Sequence, residues 1–66
     1  MMNRYMIETT DENLDVCMDS LHLVGAKVVA VSVLDNKYLI LYRSNVEYTL
    51  KDLLEVDKYG HVKQSI

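Results

Sequence analysis

The chain has no proline, phenylalanine or tryptophan, two glycines, and a single cysteine among its 66 residues. Each shortage removes an architecture or a chemistry. Without proline, no position is forced to break a helix or forfeit a strand hydrogen bond. A lone Cys17 makes an internal disulfide impossible and fits a reduced, cytoplasmic compartment. One cysteine and two distant histidines, His22 and His61, do not compose a zinc site, so no metal or cofactor is expected. The two glycines, Gly25 and Gly60, stand alone, with no phosphate-binding loop around either. The longest apolar run, Val28 to Leu34, is interrupted by Ser32 and is far shorter than the roughly 20 residues of a membrane helix. The segment Met1 to Ile7 is too short and too quickly followed by acid for a signal peptide. A soluble protein with no membrane partner is expected.

Ten acidic residues face seven basic ones, a net charge of −3. That balance argues against nonspecific binding to a nucleic-acid backbone, which depends on Lys and Arg. The length allows one domain, residues 1–66. A chain of this size buries only about 60% of its unfolded surface, and the balance of burial against ordering entropy comes out near zero. With disulfide and metal removed, self-association or very good packing must supply the difference. Half the residues are hydrophobic, so a homo-oligomer, specifically a dimer, is expected.

The elements read as an α+β fold in β-α-β-β-α-β order, ferredoxin-like, with a small antiparallel sheet and two helices on one face. Arg4 to Glu8 reads as a strand. Thr9-Thr10-Asp11-Glu12 has the capping-box pattern, with Thr9 as N-cap and Glu12 reaching back. A helix then runs from Thr10 to Val24, its apolar stripe made by Leu14, Cys17, Met18, Leu21 and Val24. Gly25 ends it. Ala26 to Leu34 carries four valines on both faces, a pattern of central or doubly covered strands. Asp35-Asn36 makes the turn to a partner strand, Lys37 to Arg43. Thr49 and Asp52 repeat the capping pattern before a short helix ending near Val56. Residues 54–66 fit either the end of that helix plus a last strand, His61 to Ser65, or a hairpin turning at Tyr59-Gly60.

All five aromatic residues are tyrosines. Tyr38, Ile40 and Tyr42 alternate along one strand and share a face, with Leu39 and Leu41 on the other. If the helices cover the leucines, the tyrosine face is open. Tyr5 lies beside it and Arg43 at its end. A tyrosine ring with one wet tip suits a protein interface, so Tyr38, Ile40, Tyr42, Tyr5 and Arg43 are the candidate partner-binding residues. The same rings, with Arg4, Lys37 and Arg43 nearby, could stack single-stranded bases. The glycine-containing strand signature of RNA-recognition domains is absent, however, and the net charge has the wrong sign. Val16 and Leu23, off the main helical stripe, read as tolerated surface apolars or as a second contact surface. Cys17 reads as an inert core thiol. His22 suits the helix C-terminus and has no nucleophile beside it, so no catalytic residue is assigned.

The passage Leu21 to Val33, helix then Gly25 then strand, resembles the ACT domains. That resemblance implies an amino-acid site near the loop after the first helix and the subunit interface. The second helix here is shorter than that family's, and no binding residue is carried across. The function expected from the sequence is a non-enzymatic interaction module. It would be a small intracellular regulator or inhibitor that binds a larger protein, of the kind bacteria and their phages use as accessory factors. A sensor or sequestering oligomer for amino acids or nucleotides is the alternative, and a single-strand nucleic-acid binder a further one.

Overall fold

The computed structural model describes residues 2–62. Strand β1 (Asn3–Thr10) leads through a single 3-10 turn (Asp11–Asn13) into helix α1 (Leu14–Leu23). Strands β2 (Lys27–Leu34) and β3 (Lys37–Ser44) form a hairpin, and helix α2 (Leu50–Leu54) follows. The sheet is antiparallel with β3 in the centre, in the order β1-β3-β2. The chain is therefore α+β, as its sequence pattern implies, with three strands among the described residues.

The expected ferredoxin-like order is not completed. Val62 does not join the sheet; it makes an isolated antiparallel bridge with Val56. The reversal between them is tied by Asp57, whose carboxylate accepts the N–H groups of Tyr59 and His61 at 2.8 and 2.9 Å. As far as residue 62, this is the hairpin reading of the C-terminal segment. The rest of the expected last strand lies outside the described residues.

Local chemistry explains most boundaries. Asp35 takes φ of 48°, which the β2–β3 turn requires and Asp tolerates. Helix α1 closes with a Schellman arrangement: Gly25 at φ 84° donates its N–H to His22, and Ala26 donates to Leu21. Helix α2 opens with the expected reciprocal box between Thr49 and Asp52. The similar pattern at Thr9 does not cap. Strand β1 continues through Thr10, so Thr9 points into the core, where its hydroxyl accepts a hydrogen bond from the Cys17 thiol at 3.5 Å.

Both helices cover one side of the sheet. The core comprises Ile7, Ile40 and Tyr42 from the sheet, Cys17 and Leu21 from α1, Ala26, and Leu53 from α2. Fully burying one such large side chain contributes about 1.5–3 kcal/mol. The expected stripe of α1 packs here, with Leu14, Met18 and Val24 at its margins. The Ser20 hydroxyl locks the two helices together by donating to the Leu53 carbonyl at 2.6 Å.

Two expectations are overturned. The tyrosine face of β3 is the covered face, and the leucine face is open. Strand β2, apolar on both sides, is neither central nor doubly covered. It forms an edge of the sheet and is exposed along nearly its whole length.

Candidate interaction surface

The residues picked from sequence divide between the two sides of the sheet. Ile40 and Tyr42 are fully buried. Tyr5 is half-buried and tilts against Tyr42, ring centroids 5.7 Å apart. Tyr38 is half-buried on the same side, its hydroxyl donating to Asp11 at 3.1 Å. These four are framework residues of the helix-covered face, which corrects their assignment to an open one. The reason lies in pairing. Ile7 of β1 stands opposite Ile40 and Tyr5 opposite Tyr42, so the apolar side of β1 selects which side of β3 turns inward. Only Arg43 lies on the open face.

Burial raises the Tyr42 phenol above its ordinary pKa, against a smaller opposing effect of its hydrogen bond with the Tyr48 backbone. The Tyr38 phenol is raised chiefly because it donates to the Asp11 carboxylate. Neither proton is poised for transfer near neutrality. Cys17 is sealed in the core and His22 is exposed on α1, so they do not form a pair. No cavity and no cluster of three potential metal ligands occurs among the described residues. Among the described residues, no helix is long and apolar enough to cross a membrane.

The open face presents a different surface. Its register sets Met6 opposite Leu41, with Ala30 on Leu41's other side. Leu39 extends this apolar strip along β3. At one end, Arg4 stands opposite Arg43, and Arg43 stands opposite Lys27. Three cations thus cross the sheet in one row, all exposed, with no ion pair among the described residues. Like charges directly opposite one another on a sheet oppose folding slightly. The open-face acid Glu8 is occupied near the other end, where it meets Lys37 at 3.6 Å. A net-acidic chain therefore carries a concentrated basic row beside an apolar strip, with no aromatic ring among them.

Sequence reading missed Met6, Leu41 and Lys27. Lys27 joins Arg4 and Arg43 only through the strand register, and Leu41 looked like core because both sides of β3 are apolar. No family model, curated protein or solved structure matches this chain.

Proposed function

We propose that this chain is a non-enzymatic interaction module that binds a larger protein through the helix-free face of its sheet. The observation that carries the reading is the unneutralised row Arg4–Arg43–Lys27 beside the Met6–Leu41 strip. An acidic protein segment with apolar side chains complements both parts. It would neutralise three cations that repel one another and cover the exposed strip. Charge complementarity of this kind favours fast, specific encounter and weakens with salt. The tyrosine-stacking route to nucleic acid loses its platform, because Tyr5, Tyr38 and Tyr42 face the helices.

The test compares surfaces. The immobilised full chain is challenged with extract from its own source, and retained proteins are identified. The partner is expected to bind the wild type and a helix-side variant, Val16→Ser with Leu23→Ser. It is expected to be lost from Met6→Ser with Arg43→Ser, and to elute with added salt. Equal retention by the sheet-face variant would refute the assignment.

A further inference from the structure

We propose that the free edge of β2 docks a second copy of this chain, two β2 strands pairing antiparallel about a two-fold axis into one six-stranded sheet. Among the described residues, only the inner side of β2 is paired, with β3. The outer side offers a row of backbone donors and acceptors to which the complementary surface is another strand. Such edges are ordinarily blunted by charge, proline or brevity. The edge strand β1 has Arg4 and Glu8 along it; β2 has eight residues and no charge after Lys27. It instead exposes apolar side chains on both sides of the sheet, with Val33 65% and Leu34 53% accessible.

The charge pattern identifies the occupant. Lys27 opens β2 and Asp35 directly follows it, and neither has an ion pair among the described residues. Antiparallel pairing of two identical strands lays the Lys27 end of each against the Asp35 end of the other. A parallel arrangement would set like charge on like. This self-complementarity is what a two-fold interface requires. The edge is a separate surface from the face proposed to bind a partner. Pairing would place two copies of that face side by side, with their basic rows at opposite ends.

Sedimentation velocity of the full chain over a range of concentrations tests this, with folding of each variant checked by circular dichroism. The wild type is expected to be a dimer. Val33→Lys places a charge on the exposed edge without entering the core and is expected to raise the dissociation constant at least about tenfold. Lys27→Asp is expected to weaken the dimer, and adding Asp35→Lys to restore part of the loss. A monomeric wild type would overturn the proposal. So would a dimer indifferent to Val33→Lys, or one dissolved by Met6→Ser with Arg43→Ser, which would locate self-association on the face instead. Partner capture unaffected by Val33→Lys would leave the face reading standing whichever way the edge result falls.

Discussion

The Tyr42 hydroxyl accepts the Tyr48 N–H at 2.9 Å and donates to the Tyr48 carbonyl at 3.4 Å. One side chain at the centre of the sheet thereby satisfies both backbone groups of a residue in the irregular stretch between β3 and α2. The two rings also pack together, centroids 6.5 Å apart. A loop held this way needs no secondary structure of its own to dispose of its polar groups. Tyr42→Phe keeps the ring and removes the hydroxyl. The expected cost is about 1–3 kcal/mol, because a partly buried N–H loses its acceptor. Urea unfolding of the two proteins measures it, and equal midpoints would show that water replaces the hydroxyl without loss.

The same phenol predicts a pH dependence. Burial holds the Tyr42 proton more tightly in the folded chain than in the unfolded one, whose phenol titrates near 10.0. As pH rises, the unfolded chain releases its proton first. Stability is therefore fully present below about pH 10 and falls as pH climbs from there through the folded value. Tyr38 acts in the same direction through Asp11. The fall in stability above pH 10 should be shallower in Tyr42→Phe than in wild type. Parallel curves would assign the alkaline loss to other groups.

These relationships show what the chain's pattern discloses and what it withholds. The β2–β3 hairpin was legible because a valine-rich run and an alternating run of Tyr, Leu and Ile flank an Asp-Asn turn. The α2 cap was legible because Thr49 and Asp52 have no competing role. Thr9 and Glu12 have the same spacing, yet burial of Thr9 against Cys17 wins over capping. The open face was misread because alternation in β3 assigns residues to two sides without saying which side is covered. Tyr38, Ile40 and Tyr42 carry large apolar groups that can be buried, as do Leu39 and Leu41. The deciding signal was in β1, where Tyr5 and Ile7 alternate with Arg4, Met6 and Glu8. It becomes decisive only once Ile7 is aligned with Ile40. The basic row depends on the same register, which no single stretch of sequence contains.

The two glycines should respond unequally to alanine. Both have positive φ, 84° at Gly25 and 82° at Gly60, so either substitution strains the backbone by about 1 kcal/mol or more. A β-carbon at Gly25 meets nothing within 4 Å. One at Gly60 runs into the Leu23 carbonyl at the end of α1, backbone that cannot step aside cheaply. Gly60→Ala is expected to exceed Gly25→Ala by about 1–3 kcal/mol, the usual range for overpacking. Thermal melting decides it, and equal losses would mean that the turn over α1 contributes nothing to the folded core.

Ser20 tests the bond between the helices. Its hydroxyl and the Leu53 carbonyl meet at 2.6 Å in a buried place, and α2 is only five residues long. A helix that short has little stability apart from its contacts. Ser20→Ala should cost about 1–2 kcal/mol by leaving the carbonyl without its donor. Hydrogen exchange should show the loss concentrated in the amides of α2. Protection lost evenly over the sheet instead would place the bond's role in global folding.

The assignment of inside and outside can be tested without any partner. Met6 and Ile40 lie on opposite sides of the sheet; Met6 is 65% accessible and Ile40 is fully buried. Removing a side chain already in water forfeits little, so Met6→Ser should shift stability by no more than about 0.5 kcal/mol. Ile40→Ala leaves a cavity between the sheet and the helices and should cost about 2–5 kcal/mol. For a small domain with a thin core, that loss can unfold much of the population at room temperature. Circular dichroism at several temperatures separates the cases. The opposite ranking would mean that the helices cover the leucine face. Met6 and Leu41 would then be core, and the proposed binding surface would lie on the other side of the sheet.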